Sequence, residues 1–188
     1  MIFLKKLTNM SFYTSVLLIT FIILPGYLNT EKWTTPFFKM DIPNKWHKLP
    51  KPKNLESPVR ERNGIREYYD VRIIPNPNDK NIVGRSVSVR IFKKSDDNKL
   101  NFRDFVSEKG TTKNIEEYII GDFYVHETMR VLRLRDPDTG EVNDWFGKEW
   151  LIQGDLRVYR FTFNTTDLDF FKENVNSVIK AINTFIEK

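Results

Sequence analysis

The stretch "FFKMDIPNKWHKLP", residues 37–50, decides how the chain folds. Apolar side chains alternate with polar ones in its first half, at Phe38, Met40 and Ile42. A period of two is typical of a half-buried strand. Pro43 ends this strand, because proline has no N–H for the ladder of hydrogen bonds. Trp46 follows closely and can fold back into a core, so the stretch predicts the opening of a folded domain.

The aromatic residues of this region also allow a second interpretation. Trp and Phe rings often anchor a protein at the surface of a bilayer. Three rings are placed to do so here: Trp33, Phe37 and Phe38. An anchor predicts that these side chains are exposed, whereas a domain core predicts that they are buried.

The N-terminal residues have the pattern of a targeting segment. Lys5 and Lys6 precede a run at residues 16–24 that is apolar apart from Thr20. A positive start followed by such a run is typical of a secretory signal. The uncharged stretch 10–28 is also close to the length of a membrane-spanning helix, about 20 residues. We therefore predict a signal peptide or an uncleaved membrane anchor over residues 1–30, with a buried core helix as the alternative.

The composition fits one globular domain, which we expect to be extracytoplasmic and to cover residues 31–188. The chain of 188 residues is 40% hydrophobic and 29% charged, as in folded proteins of this size. It has no cysteine, which excludes disulfides, thiolate catalysis, cysteine-based zinc sites and a lipidated cysteine. The formal charge of +5 lacks the dense basic stripe of nucleic-acid binders, so we expect no nucleic-acid partner.

Strand patterns dominate the middle of the domain. "EYYDVRII" places Tyr69, Val71 and Ile73 on one face, and "SVSVRIF" alternates in the same way. The turn-rich residues 75–81 between them predict a hairpin with a long loop. Further strands follow after residue 117, and in "LRVYRFTF" one face carries Tyr159, Phe161 and Phe163.

Two helices complete the predicted architecture. A short one is expected over residues 101–110, and a long one follows the last strands. Thr166 and Asp169 resemble a capping box at its start. The apolar stripe of the long helix runs through Leu168, Phe171, Val175, Val178, Ile182 and Phe185. The fold class is therefore α+β: an antiparallel β-sheet with a short helix and a long C-terminal helix packed on it, preceded by an N-terminal hydrophobic helix.

This order of elements, together with the opening motif, resembles the PsbP-like fold. The photosystem subunit PsbP and the DcrB-type envelope proteins share that fold. The likeness covers residues 33–188, and the residues that carry it are Phe38, Met40, Ile42, Pro43 and Trp46 at the start, and "LRVYRFTF" with Val175, Val178, Ile179 and Phe185 at the end. The resemblance implies binding of other proteins rather than catalysis. Unlike the DcrB type, this chain has no lipobox cysteine, so its attachment would be through the apolar helix.

Residues that could do chemistry are few. His126 and its neighbour Glu127 should point to opposite faces of a strand, and His47 stands apart from both. The sequence has no nucleophile elbow, no phosphate-binding loop and no metal-ligand spacing. The acidic loop at residues 136–144 offers oxygen ligands for calcium, but it is also ordinary turn chemistry. We predict no catalytic residue, no metal site and no cofactor.

Arginines on the predicted strands are the most distinctive polar feature. The candidate binding residues, which alternate with core positions, are Arg72, Arg90, Arg133, Arg135 and Arg160, with Arg157 as an alternative to the last. If their strands are neighbours, one sheet face carries several guanidinium groups that can bind carboxylates. The plain alternative is a solvated face with cross-strand ion pairs. The predicted structural core contains Ile42, Trp46, Phe161, Phe171 and Val178.

Together these patterns favour a non-enzymatic binding or assembly factor of the cell envelope. It would be membrane-anchored on the extracytoplasmic side, or periplasmic or secreted if the signal is cleaved. Its partner would be an acidic protein or an envelope complex. Two alternatives stay open: a carrier of a small molecule or lipid with a pocket between sheet and helix, and a hydrolase centred on His126.

The charge layout around the apolar run gives a prediction about topology. Because Lys5 and Lys6 should stay in the cytoplasm, a reporter fused after Lys188 should be active only outside it. Enzyme assays measure this: the alkaline-phosphatase fusion should be active and the β-galactosidase fusion inactive. Activity confined to the cytoplasm would contradict the targeting prediction. Carbonate extraction of the membranes then separates an uncleaved anchor from a cleaved signal.

Overall fold

The structure is a computed structural model that describes residues 31–49, 57–75, 85–96, 98–105, 112–135 and 140–188. The predicted targeting segment, residues 1–30, lies outside this part of the chain, as does the predicted N-terminal helix. No helix within the described ranges is long and apolar enough to cross a bilayer.

The described residues form two antiparallel sheets. The small sheet contains β1 (Lys32–Thr34), β2 (Phe38–Asp41) and β11 (Ile186–Glu187), in the order β1-β2-β11. The main sheet contains β3 (His47–Lys48), β4 (Arg60–Arg62), β5 (Ile65–Ile74), β6 (Ser86–Lys94), β7 (Thr112–Ile120), β8 (Phe123–Arg135), β9 (Val142–Gln153) and β10 (Arg157–Thr165). Its order is β3-β5-β6-β10-β9-β8-β7, with β4 paired to β5. A 3-10 helix (Phe102–Phe105) and an α-helix, α1 (Leu168–Ile182), complete the architecture, which confirms the predicted α+β class.

One face of the main sheet, which we call the inner face, carries the core. Strand β10 shows the alternation that the sequence predicted, because Tyr159, Phe161 and Phe163 all point inward and are fully buried. Helix α1 packs on this face, and its Phe171 ring stacks on Phe163 with the centroids 5.3 Å apart. The buried residues of α1 are Phe171, Val178, Ala181 and Ile182.

The opening stretch belongs to this core. Trp33 and Phe38 of the small sheet are both fully buried, and each ring meets Phe161 edge-on. Trp46 is 4% exposed and lies 5.8 Å from Phe163, ring centroid to centroid. Ile42 is 2% exposed, so all five predicted core residues are buried. Trp33 and Phe38 are therefore core residues and not anchors at a membrane surface, while Phe37 is half-buried at the edge of the core.

Strand β11 fastens the small sheet to the main one. The Glu187 carboxylate accepts a hydrogen bond from the Asp155 backbone N–H at 2.8 Å and pairs with Arg157 at 3.3 Å. The Tyr159 hydroxyl lies 2.9 Å from the same carboxylate. Burial and the Glu187 charge both raise the pKa of Tyr159 above its usual range, so the hydroxyl stays protonated as a donor.

The face assignment predicted for the first long strand is wrong. The sequence pattern grouped Tyr69 with Ile73 on one face. A β-bulge between Asp70 and Ile73 shifts the register of β5 against β6. An extra residue in one strand changes the phase of its side chains. Tyr68 therefore shares the core with Ile73, and Tyr69 lies opposite Arg90 on the other face.

Both predicted helices differ at their ends. Asp167, not Thr166, is the N-cap of α1, because its side chain accepts from the Phe170 N–H at 2.9 Å. Leu168 is 38% exposed and does not join the buried stripe. The short helix is a 3-10 turn over Phe102–Phe105, and the remainder of its predicted range, 106–110, lies outside the described residues.

Burial of Trp46 predicts a large loss of stability on truncation. The substitution Trp46→Ala should lower the free energy of unfolding by about 3–5 kcal/mol, as for other buried aromatic residues. Chemical denaturation of the purified chain measures this. The matched control is Ile119→Ala, because Ile119 is 70% exposed and its truncation should change little. Equal effects of the two substitutions would contradict a core position for Trp46.

Candidate binding cleft on the outer face

The outer face of the main sheet is partly covered by residues 98–105. The buried side chains beneath and within this cover are Phe92, Leu100, Phe102, Leu151 and Val158. Arg160 fixes the cover to the sheet. Its Nη2 donates to the backbone oxygen of Phe105 at 2.6 Å, and its guanidinium lies 5.5 Å above the ring of Phe92. The guanidinium of Arg160 is therefore committed to a structural contact.

Beside this cover, the outer face holds a cleft of about 340 Å³ over Gly147 of β9. Gly147 pairs with Arg130 of β8 and with Asn164 of β10, so its missing side chain leaves a gap between these neighbours. A Cβ at this position would lie 2.5 Å from Asn164 Oδ1. The side chains around the gap are Arg130, Leu132, Trp145, Glu149, Thr162 and Asn164. We call this site the Gly147 cleft.

Two arginines share one carboxylate at the polar end of the Gly147 cleft. Arg130 Nη2 lies 3.4 Å from Glu149 Oε1, and Arg160 Nε lies 3.7 Å from Glu149 Oε2. Both distances are long for a charge-assisted hydrogen bond. One carboxylate therefore contacts two guanidinium groups at this end of the cleft.

The remaining walls of the cleft hold polar groups with unused hydrogen-bonding capacity. Within the described ranges, no residue bonds to the side chains of Trp145, Thr162 or Asn164. An indole donates only, while a hydroxyl and an amide each donate and accept. The walls can therefore both donate hydrogen bonds to a bound polar group and accept them from it.

The structure brings some of the predicted arginines together. Arg90 of β6 pairs directly with Arg160 of β10, and both lie on the outer face. Arg90 is half-exposed and makes an ion pair with Glu67 at 3.3 Å. Arg72 lies on β5, the next strand. Arg130, which the sequence analysis did not single out, is the arginine that lines the cleft.

Arg133 and Arg135 lie elsewhere. The register of β8 against β9 is unbroken, so Arg133 has the same facing as the core residue Val125 and opposite facing to Arg130. Arg133 pairs with Asp144 at 2.9 Å, and Arg135 Nε donates to Gly140 O at 3.2 Å. The expectation that these two arginines share a face with Arg90 and Arg160 is therefore wrong.

His126 occupies a buried position on the outer face. It is 5% exposed and lies against the ring of Phe102. Its Nδ1 lies 3.1 Å from Glu117 Oε1, while its Nε2 has no partner among the described residues. Hydrogen bonds from Tyr124 and then from His126 hold the pKa of Glu117 below its usual range. The pairing is cross-strand, and Glu127 points to the opposite face, as predicted.

Glu127 is the centre of a polar network on the inner face. Its carboxylate accepts from Trp150 Nε1 at 2.6 Å and from the Tyr118 hydroxyl at 2.8 Å, and it also binds the ammonium of Lys148. Burial and then the hydrogen bond to Glu127 raise the pKa of Tyr118 above its usual range, which keeps the donor proton in place. All of these donors converge on one carboxylate, so the network is a structural one that ties β7, β8 and β9 together.

The described residues contain no group of three or more acidic or histidine side chains that could hold a metal ion. His47 is an exposed residue of β3, far along the sheet from β8. In the acidic loop, residues 136–139 lie outside the described ranges, and Asp144 is engaged by Arg133. The alternative of calcium ligands in this loop therefore lies partly outside the described residues.

Comparisons with known proteins bear on the fold. No family model matches the chain, and no curated protein matches it. Cyanobacterial PsbP (CyanoP) from Synechocystis sp. PCC 6803 has a similar structure, with a TM-score of 0.55 and 13% identity. The alignment covers 88% of this chain and 96% of CyanoP. The predicted likeness to the PsbP-like fold is therefore confirmed, at the level of the fold alone.

Two other solved structures align less closely. A protein from Bacteroides thetaiotaomicron VPI-5482 gives a TM-score of 0.48 at 14% identity, with 86% of this chain and 49% of that chain covered, so this chain spans about half of its length. A protein of unknown function from Pseudomonas aeruginosa gives a TM-score of 0.44 at 12% identity, with 85% of this chain and 97% of that chain covered.

The network around Glu127 gives a prediction about stability. The substitution Glu127→Ala should lower the free energy of unfolding by about 3 kcal/mol, because it leaves the Lys148 charge and two buried donors without their acceptor. Thermal and chemical denaturation measure this. Glu117→Ala is the matched control, since the Glu117 carboxylate is half-exposed and on the other face. A loss no larger than that of the control would show that the network contributes little.

Proposed function

We propose that this chain is a non-enzymatic binding protein of the cell envelope that holds an acidic partner protein on the outer face of its main sheet. The single observation that carries the proposal is the arrangement in which Arg130 and Arg160 share the Glu149 carboxylate beside an open cleft. An anionic group of a partner would add a favourable contact at this pair of guanidinium groups.

The electrostatics at this site favour contact with a carboxylate. Arg130 and Glu149 are 17% and 14% exposed at their side chains, so an ion pair there is screened less than one in free solution. Arginine offers a planar fork of donors that matches a carboxylate. Arg90 lies along the same face with half of its side chain exposed, and it can extend the contact with an acidic segment.

Export is the second part of the proposal. The Lys5–Lys6 start and the apolar run at 16–24 support a signal or an anchor at the N-terminus. CyanoP, the similar structure, is a cyanobacterial PsbP, and the likeness to it is one of fold. Fold alone does not fix function. The cleft chemistry and the targeting pattern are therefore the two supports that come from this chain itself.

Binding of a defined acidic probe tests the proposal. A fluorescein-labelled peptide of alternating Asp and Gly should bind the purified chain, and raised salt should weaken the complex. The substitution Arg130→Gln should weaken binding about tenfold, the size of one lost charge-assisted hydrogen bond. Fluorescence anisotropy measures both effects.

The matched control is Arg133→Gln. Arg133 lies three residues further along β8, on the opposite face and with its side chain 75% exposed, so this change removes the same charge without touching the cleft. It should leave the affinity unchanged. Equal binding by wild type and Arg130→Gln, or equal losses in the two variants, would refute an acidic partner at this face. Thermal melting confirms that each variant is folded.

A further inference from the structure

Strand β7 (Thr112–Ile120) is an edge of the main sheet. It pairs with β8 on one side, and no strand of the described residues pairs with its other side. An edge strand presents a row of unpaired N–H and C=O groups on which another chain can add a strand. At nine residues β7 is longer than most strands, so it offers a long template for such pairing.

The turn at the end of β7 shows which of its backbone groups are unpaired. The two-residue turn Gly121–Asp122 joins β7 to β8, and Ile120 pairs with the residue that follows it. The residues that flank such a turn exchange both of their hydrogen bonds, and bonded pairs then recur at every second position. The N–H and C=O groups of Ile119, Glu117 and Ile115 therefore point away from β8.

The side chains at these three positions share the outer face of the sheet. Glu117 pairs with His126 of that face, and Ile115 and Ile119 lie two residues to either side of it. Ile115 is 60% exposed, Ile119 is 70% exposed, and the Glu117 carboxylate is half-exposed. Hydrogen bonds from Tyr124 and His126 lower the pKa of Glu117, so it is ionised at neutral pH. We call this apolar–acidic–apolar row the β7 edge.

We propose that the β7 edge binds an extended segment of another protein, which adds a strand to the sheet and places a Lys or Arg between two apolar side chains, against Glu117. The outward backbone groups call for a strand, because a strand repeats its donors and acceptors at the same spacing. Residues 115–122 include three acidic side chains and no basic one, so a basic side chain is favoured there. This contact is separate from the acidic partner proposed above, which lies at other strands.

A second copy of this chain fits the β7 edge poorly. Two β7 strands can pair in antiparallel fashion with Ile115 of one copy against Ile119 of the other. Glu117 then lies opposite Glu117 of the second copy, and like charges directly opposite each other destabilise a sheet. A charged side chain on an edge is also a common protection against edge-to-edge association. The β7 edge therefore selects a basic strand over a second copy.

Binding of short labelled peptides to the full chain tests this inference. The peptide Thr-Val-Thr-Lys-Thr-Val-Thr places a base between two apolar residues, and a second peptide has Glu in place of Lys. Fluorescence anisotropy should show about fivefold tighter binding of the Lys peptide, because a cross-strand ion pair replaces a repulsion. The Lys peptide should also slow hydrogen–deuterium exchange in fragments that contain residues 115–119.

Backbone methylation of the Lys peptide separates strand addition from loose electrostatic attraction. Methyl groups on the backbone nitrogens of both Val residues remove donors that face β7, so binding should be lost. Methyl groups on the two inner Thr residues leave those donors in place and should preserve binding. The two methylated peptides have the same charge and composition, so each is the matched control of the other.

Two pairs of variants test the assigned positions. Glu117→Gln should remove the preference for Lys over Glu, whereas Glu116→Gln removes a neighbouring charge on the other face and should keep it. Ile119→Pro removes an outward N–H without breaking the ladder to β8, so binding of the Lys peptide should fall about tenfold. Ile119→Thr keeps that N–H and should lose less. Thermal melting confirms that each variant is folded.

Three results would overturn the proposal. They are equal binding of the Lys and Glu peptides by wild type, full binding of the peptide methylated at Val, and self-association of the chain that Ile119→Pro abolishes. The last result would assign the β7 edge to a second copy. Arg130→Gln should leave binding of the Lys peptide unchanged, so the loss of the acidic partner would leave this inference standing.

Discussion

The inner face of the main sheet carries more aromatic surface than one helix of 15 residues covers, and this constraint shapes the molecule. Helix α1 covers one part of this face with the buried residues of its apolar stripe, which are Phe171, Val178, Ala181 and Ile182. The small sheet covers the rest by inserting Trp33 and Phe38 edge-on against Phe161. Edge-to-face rings at these distances add specific attraction to the burial of apolar area. Two elements therefore cover the core of this PsbP-like fold. One is helix α1, and the other is the small sheet of β1, β2 and β11.

A feature of the fold could be predicted from the sequence where it depends on local pattern, and could not where it depends on pairing between strands. Alternation and helical spacing report burial directly, so β10, α1 and the position of Trp46 followed from local pattern. The phase of β5 did not follow, because the bulge between Asp70 and Ile73 depends on its pairing with β6. The cap at Asp167 was missed for a similar reason: neighbouring Thr and Asp residues all have suitable side chains, and only the backbone conformation decides among them.

The candidate site was less predictable than the fold. The face on which Arg133 lies was predicted wrongly. Both faces of β8 are exposed at this point, so the alternation of apolar residues no longer shows which face is buried. Arg130 and Glu149 meet only through the register of β8 on β9. A signal was nevertheless present, since Gly147 stands in the interior of a strand pattern. Its meaning depended on which side chains flank it, and that is a property of pairing between strands.

The pairing of β2 with β11 also implies an order in which parts of the domain fold. Ile186 lies opposite Lys39, so the small sheet joins residues from the two ends of the described chain. Contacts at such separation form late, because the loop between them must first be closed at an entropic cost. A growing chain therefore keeps Trp33 and Phe38 without their final cover until β11 has been made. During that interval the incomplete domain exposes an aromatic surface that is prone to aggregate and that chaperones can bind.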